Sequence, residues 1–168
     1  EGLAKDATIA NPDTPVCLFS ASKIVTAMLI HMLDETGEIN LLDPISYYIP
    51  EYAQNGKRRA TIFHLLSHRG GIPRVETEVT PELLFDKEQI LQHLYRSKPV
   101  SPAGSHLAYH AVTAGYILGE LIERVTGQDI RQFLHEQIEK PMDMPFFNYG
   151  LRPQFRDQVA LNTATGIH

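Results

Sequence analysis

The sequence predicts a mainly α-helical protein with few strands of its own. Apolar side chains recur at intervals of three and four residues, the spacing at which side chains share one face of a helix. The clearest such stretches begin at about Ser20, Lys87 and His110, and the helix-ending residues Gly37 and Gly127 follow two of them. Strand-like pieces occur only near the two chain ends, and they are too few to form a stable sheet alone.

Length and composition allow a single domain, residues 1–168, with its own core. The chain has 168 residues, of which 43% are hydrophobic and 21% are charged, ordinary values for a globular protein. Its formal net charge is −5, so we expect no basic face for a nucleic acid. The longest apolar run, residues 24–33, is too short to span a bilayer, and the first residues lack the pattern of a signal peptide.

The first predicted helix begins at or beside Ser20 and ends before Gly37. Its apolar positions are Ile24, Val25, Ala27, Met28, Leu29, Met32 and Leu33. The preceding residues indicate the end of a strand and a turn. Cys17 is the only cysteine, which excludes an internal disulfide, and its apolar surroundings predict a buried thiol.

Shorter elements are predicted in the middle of the chain. A turn covers residues 41–50, and a short helix runs from Thr61 to Ser67, capped by Thr61 or Ala60 and ended by Gly70. A surface loop follows over residues 74–86.

Asp86 is then predicted to cap a helix that runs from Lys87 to about Arg96. A turn over residues 101–105 leads into a strongly apolar helix from about His110 to Val125.

The last predicted elements follow Gly127. A helix begins at Gln128 and Asp129 and ends at Pro141, and residues 146–150 are predicted as a strand. Residues 151–168 show little pattern.

Ser20 and Lys23 form a Ser-x-x-Lys tetrad at the start of the first helix. Residues three apart share a helix face, so Lys23 can reach the Ser20 hydroxyl and serve as the base that a serine nucleophile needs. The helix N-terminus can also stabilise a developing oxyanion. Alternatively, Ser20 is only a helix cap and Lys23 is solvated, because the bare tetrad is common.

Tyr109 follows the turn over residues 101–105 and stands at the start of the helix predicted from about His110. Its phenol could relay a proton to a leaving group if it approached Ser20. A tyrosine at this position is also typical of a core residue whose hydroxyl reaches the surface.

The histidines do not predict a metal centre. His64 and His68 have the spacing of two ligands on one helix face, but no third ligand is evident and Gly70 ends the helix. No phosphate-binding glycine loop is present. We therefore expect neither a metal nor a cofactor.

Several segments together form a recognisable set: residues 19–23 (FSASK), 35–44 (ETGEINLLDP) and 65–71 (LLSHRGG). They resemble segments of the penicillin-recognising serine hydrolases, that is class C β-lactamases, related carboxylesterases and penicillin-binding proteins. The first two resemble the first motif region, and the third resembles the following Leu-Leu-x-His-x-x-Gly signature. Residues 102–109 and 115–127 resemble the surroundings of the second motif. The resemblance implies an acyl-enzyme on Ser20, activation by Lys23 and proton transfer by Tyr109, within the helical lobe of an α/β fold.

Two departures from the family pattern refine this expectation. The usual Tyr-x-Asn motif is here Tyr109-His110-Ala111, a form typical of the carboxylesterase branch, which favours an ester substrate over a β-lactam. The family's third motif, Lys-Thr-Gly or His-x-Gly on a C-terminal strand, is not found. We therefore expect a partial domain that lacks the C-terminal half of the sheet, with weak or no activity alone and with self-association through its uncovered apolar face.

Three functions remain open at this point. The first is a carboxylesterase acting through Ser20 on a small-molecule ester. The second is a β-lactamase or D,D-peptidase that uses the same nucleophile. The third, of another class, is a non-catalytic relative that binds a partner, which the missing third motif favours and which the presence of Ser20, Lys23 and Tyr109 opposes.

Overall fold

The first helix starts two residues beyond Ser20. In the computed structural model, which describes residues 11–75, 80–160 and 162, a 3-10 turn over Phe19–Ala21 leads into α1, Ser22–Glu35. The helix ends before Gly37, whose φ of 78° is a conformation that glycine adopts without strain. Both predicted limits of this helix are confirmed.

Helices provide the regular structure of the described residues. The further helices are α2 (Ile45–Tyr48), α3 (Ile62–Leu66), α4 (Lys87–Arg96), α5 (Thr113–Thr126) and α6 (Ile130–Leu134). Short 3-10 segments cover Pro50–Gly56, Pro81–Phe85 and Pro153–Gln158, and a π-helical turn over His135–Glu139 continues α6. Outside the gaps at 1–10, 76–79, 161 and 163–168, the one β-bridge pairs Pro44 with Thr61. The mainly α class is confirmed.

Side-chain caps fix the starts of α3 and α4. The Thr61 hydroxyl accepts the His64 backbone N–H at 3.1 Å, and His64 Nδ1 accepts the Thr61 N–H at 3.2 Å. This reciprocal capping box satisfies two N–H groups that have no partner inside the helix. The Asp86 carboxylate accepts the Gln89 N–H at 3.0 Å, so both predicted caps are confirmed.

Helix α5 is the centre of the core. It packs against α1, α2, α3, α4 and α6, and Ile117, Leu118, Leu121 and Ile122 are buried along it. Gly127 ends the helix in the left-handed conformation, as expected. Ser20 and Tyr109 lie on the segments that lead into α1 and α5. Both segments are therefore attached to helices of the same core.

Three sequence predictions are wrong. Residues 146–150 form turns and bends, because their hydrogen bonds are local: Phe147 N–H donates to the Met144 carbonyl at 2.9 Å. Helix α5 starts at Thr113 rather than His110, because His110 is engaged in the loop described below. The Cys17 thiol is exposed, because its chain segment runs along the surface. Of the strand end and turn predicted over residues 1–19, residues 1–10 lie outside the described part, and residues 11–19 contain a turn at Pro12 and Asp13 and no strand.

No helix in the described ranges combines the length and the apolar character that crossing a bilayer requires.

Candidate active site

Ser20 lies on an exposed 3-10 turn at the N-terminal end of α1. Lys23, half-buried one turn later, places its Nζ 3.4 Å from Ser20 Oγ. Phe19, immediately before the serine, has a φ of 47°, a strained conformation for a residue with a side chain. The Ser22 hydroxyl donates to the Phe19 carbonyl at 2.7 Å and so supports this turn.

The Tyr109 side chain meets Ser20 and Lys23. Lys23 Nζ lies over the phenol ring, 5.2 Å from its centroid. The proximity of Ser20 first, and then of Lys23, lowers the pKa of the Tyr109 phenol from its usual 10.0, because both groups can donate to the phenolate. The structure therefore brings together all three residues that the sequence singled out.

The loop that carries Tyr109 is tied to the segment after α3. Ala108 N–H donates to the His68 carbonyl and Gly104 N–H to the Arg69 carbonyl, both at 2.9 Å. Gly71 has a φ of 85°, and a Cβ added there would lie 2.5 Å from the Ser101 carbonyl oxygen. Only glycine fits this close approach of the two segments.

His110 is buried beneath the site and holds the backbone of Ile72. Its Nδ1 donates to the Ala108 carbonyl at 2.6 Å, and its Nε2 accepts the Ile72 N–H at 3.2 Å. The Thr113 hydroxyl donates to the Ile72 carbonyl at 2.6 Å. Burial lowers the pKa of His110, which favours the neutral ring that these bonds require.

His68 belongs to the same cluster, although sequence reasoning gave it no role at the site. Its ring meets the Tyr109 ring edge-on, with centroids 4.8 Å apart. Burial, and then the charge of Lys23, lower the pKa of His68. The signal that could have found it is its place in residues 65–71, the segment on which the family resemblance rests.

The histidine pair considered for a metal site does not converge. The His64 ring accepts the Thr61 N–H and lies against Gly104. α3 ends at Leu66, and His68 has a φ of 58°, so its ring points to Tyr109 instead. No group of three or more potential metal ligands occurs in the part of the chain that the structure describes.

A cleft of about 630 Å³ adjoins Lys23. Its walls come from α1, the start of α5, the 3-10 segment before α4 and the start of α6, and Ala111 lies in its lining. Ser22, Cys17 and the segment around Phe147 line a smaller, mostly apolar cavity of about 320 Å³. Tyr149 lines both spaces, and its hydroxyl is 2.6 Å from Thr26 Oγ1 on α1.

The arrangement has the parts that nucleophilic acyl transfer needs. An exposed hydroxyl (Ser20), an amine within reach of it (Lys23) and a phenol of lowered pKa (Tyr109) share one edge of the molecule. The hydroxyl sits at the N-terminal end of a 14-residue helix, where backbone N–H groups and the helix dipole favour negative charge. A carbonyl attacked there would develop its charge near these donors.

Comparisons of the sequence with known proteins point to one family. The sequence model of the family described as Beta-lactamase matches residues 4–165. The esterase/beta-lactamase LipL of Mycobacterium tuberculosis is 31% identical over 141 residues, which are 84% of this chain and 32% of LipL.

Solved structures agree with the sequence match. A penicillin-binding protein homolog from Caulobacter crescentus superposes with a TM-score of 0.88 at 35% identity, covering 94% of this chain and 42% of that protein. A family VIII carboxylesterase superposes with a TM-score of 0.84 at 30% identity, covering 89% of this chain and 42% of the other. The chain thus spans less than half the length of each of these relatives. With nearly its whole length matched by the family model, the chain belongs to the Beta-lactamase family.

Proposed function

We propose that this chain carries the nucleophile of a serine hydrolase that cleaves small-molecule esters through an acyl-enzyme on Ser20. The observation that carries the proposal is the 3.4 Å approach of Lys23 Nζ to Ser20 Oγ, next to a phenol whose pKa both residues lower. A serine acts as a nucleophile only when a nearby base takes its proton.

In the acylation step, Ser20 Oγ bonds to the ester carbonyl carbon while its proton passes to the Lys23 amine. The oxyanion of the tetrahedral intermediate forms near the N-terminal end of α1. When the intermediate collapses, the bond to the alkoxide breaks and the alkoxide takes the Tyr109 proton. The lowered pKa of Tyr109 makes its phenol a better donor for this transfer. The Lys23 ammonium then returns a proton to Tyr109.

Deacylation follows the same path with water as the nucleophile. Water gives its proton to the Lys23–Tyr109 pair and bonds to the acyl carbon. The acyl–Oγ bond breaks, and Ser20 recovers its proton as the carboxylic acid leaves. The free enzyme is restored without a cofactor or an external electron donor.

An ester is favoured over a β-lactam or a D-alanyl peptide because of Ala111. This methyl group lies in the lining of the cleft beside Lys23, where an asparagine amide in the resembling motif would bind the amide side chain of a β-lactam. An alanine leaves that part of the cleft apolar. The names of LipL and of the family VIII carboxylesterase include esterase activity, and this supports the same choice.

We also propose that the 168 residues form one partial domain, because each of the relatives above is more than twice as long as the region matched. Activity of this chain alone is then expected to be weak. The competing proposal is a non-catalytic member that binds a partner, and it predicts that Ser20 has no enhanced reactivity.

An alkyl fluorophosphonate tests the nucleophile directly. Ser20 Oγ bonds to phosphorus, fluoride leaves, and the hydroxyl proton goes to the base. We expect one adduct by intact-mass spectrometry, mapped to Ser20 and absent in Ser20→Ala. Lys23→Met and Tyr109→Phe should slow labelling by about 10²- to 10⁴-fold. Ser46→Ala, whose hydroxyl donates to the Arg58 carbonyl on another surface, is the matched control and should label at the wild-type rate.

The outcomes separate the alternatives. Labelling of Ser20 followed by turnover of p-nitrophenyl esters supports the esterase. Labelling by a fluorescent penicillin at a higher rate than ester turnover supports the β-lactamase or D,D-peptidase. A folded protein that stays unlabelled at Ser20 contradicts the hydrolase proposal and favours the binding protein.

A further inference from the structure

Tyr109 is held at the site although its own side chain is half-exposed. Its exposed fraction is 51%, so little packing restrains the phenol. However, hydrogen bonds to a single residue, His68, fix the backbone on both sides of Tyr109. Ala108 N–H donates to the His68 carbonyl at 2.9 Å, and His110 N–H donates to His68 Nδ1 at 3.2 Å.

The imidazole of His68 makes a third contact, with the phenol itself. The rings of His68 and Tyr109 meet edge-on, with centroids 4.8 Å apart and planes inclined by 65°. Aromatic pairs prefer this geometry over a face-to-face sandwich. His68 therefore restrains both the backbone and the ring of Tyr109.

His110 supports His68 from below. The two imidazoles stack with centroids 5.9 Å apart, and the His110 ring is fixed by its bonds to Ala108 and Ile72. A displacement of His68 would thus be resisted by a buried neighbour, and its position is set before any substrate binds.

The contact with His110 requires an unprotonated Nδ1 on His68. A ring nitrogen that accepts a backbone N–H carries no proton, so the neutral ring has its proton on Nε2. Protonation would turn Nδ1 into a donor facing another donor and break the bond. The titratable groups against the His68 ring are Lys23 on α1 and Tyr109 and His110 on the loop before α5.

We infer that His68 is a positioning residue, which holds the Tyr109 phenol at Ser20 through the acceptor Nδ1 and the edge-on ring contact. The inference rests on the proposed function, because it assigns His68 to the proton transfer proposed for Tyr109. His68 does not touch the reacting atoms; it acts through Tyr109.

Two substitutions separate the acceptor from the rest of the side chain. His68→Asn keeps an acceptor oxygen close to the position of Nδ1, cannot be protonated, and tolerates the φ of 58°. His68→Gly also tolerates this φ but has no acceptor. Fluorophosphonate labelling of Ser20 should be slowed about 10- to 100-fold in His68→Gly, because a misplaced catalytic group costs this much. In His68→Asn, which keeps the acceptor but loses the ring contact, we expect a rate between those of His68→Gly and the wild type.

The pH profile adds a readout that a merely structural role would not change. Between about pH 7.5 and about pH 5.5 the wild-type labelling rate should fall as His68 gains a proton, and the fall should be smaller in His68→Asn. Circular dichroism at each pH checks that the fold is kept.

A third measurement needs no variant. In the wild type, two-dimensional ¹H–¹⁵N spectra of the imidazoles should show the Nε2–H tautomer for His68 and the Nδ1–H tautomer for His110.

Failure of the proposed function and failure of the positioning role of His68 would give different results. A wild-type chain that no fluorophosphonate labels contradicts the proposed function, and the tautomers then still test the geometry. A folded His68→Gly that labels as fast as the wild type, or an Nδ1–H tautomer at His68, overturns the positioning role and leaves the hydrolase proposal standing.

Discussion

At the scale of single residues, backbone strain gathers beside the proposed site. Four non-glycine residues in the described part of the chain have a positive φ: Phe19, Asn55, His68 and Asp143. Phe19 adjoins Ser20, and His68 contacts Tyr109. Such conformations cost about 1–3 kcal/mol each and persist where the surroundings fix them. Two of the four therefore lie beside the proposed site.

Gly71 and Gly115 offer a matched pair of substitutions. A Cβ at Gly71 would lie 2.5 Å from the Ser101 carbonyl, whereas nothing lies within 4 Å of a Cβ at Gly115. We expect Gly71→Ala to lower the free energy of unfolding by at least about 2 kcal/mol. Gly115→Ala, inside α5, should raise it by about 0.5–1 kcal/mol. Urea denaturation measures both, and equal effects would show that the two segments do not approach closely.

His110 predicts a dependence of stability on pH. Burial lowers its pKa in the folded protein below the ordinary 6.5, so the unfolded chain binds more protons just below pH 6.5. The free energy of unfolding should therefore be level above about pH 6.5 and should fall as the pH drops below it. Urea midpoints at about pH 7.5 and about pH 5.5 measure this loss.

Substitution of His110 tests whether the loss of stability at low pH comes from the His110 imidazole. In His110→Gln the difference between the two pH values should shrink, whereas in the exposed His106→Gln it should match the wild type. A wild-type difference that survives in His110→Gln would point to another group.

At the scale of elements, a buried lysine caps the C-terminal end of α4. Lys57 is 1% exposed, and its ammonium donates to the carbonyls of Gln54, Tyr95 and Ser97 at 2.9, 2.9 and 2.6 Å. The last carbonyls of a helix have no partner within it, and a positive charge there also favours the helix dipole. Burial lowers the pKa of Lys57.

Lys57→Met tests this connection between the 3-10 segment Pro50–Gly56 and α4. The substitution keeps the apolar stem but leaves buried carbonyls without a donor, so we expect a loss of about 2–4 kcal/mol in the free energy of unfolding. The exposed Lys98→Met is the control and should change it by less than about 0.5 kcal/mol. Thermal melts followed by circular dichroism measure both. A Lys57→Met protein as stable as the control would mean that water or a neighbouring donor satisfies these carbonyls.

At the scale of the whole molecule, apolar side chains face outward along α1. Ile24 is 74% exposed and Met28 is 39% exposed, and residues four apart lie on one helix face. Phe19, 68% exposed, precedes them. Adjacent exposed apolar side chains favour association in water.

We therefore expect the 168-residue chain to self-associate at micromolar concentrations. Sedimentation velocity should show species larger than the 18.9 kDa monomer. The double variant Ile24→Glu and Met28→Lys should shift the distribution to monomer, because charged groups resist burial. Leu42→Lys, at another exposed apolar position, should leave it unchanged. A wild-type chain that stays monomeric contradicts the expectation.

The sequence alone determined the helices whose limits are set by local chemistry. The glycine after α1, the capping residues of α3 and α4, and the glycine that ends α5 act on neighbours within a few residues. The same applies to Ser20 and Lys23, because a three-residue spacing near a helix start already puts two side chains on one face.

Only the tertiary structure decided the parts that depend on residues far apart in the chain. The hydrogen bond from His110 to His68 joins positions 42 apart, and it delays α5 until Thr113. Residues 146–150 have strand-like side chains but pair with no strand in the part of the chain that the structure describes. A strand exists only when another strand supplies its hydrogen bonds. Tyr109 could be named from the sequence as a candidate, but its approach to Lys23 depends on two loops that pack against each other. Local spacing thus predicted the proximity of Ser20 and Lys23, and long-range contacts decided what surrounds them.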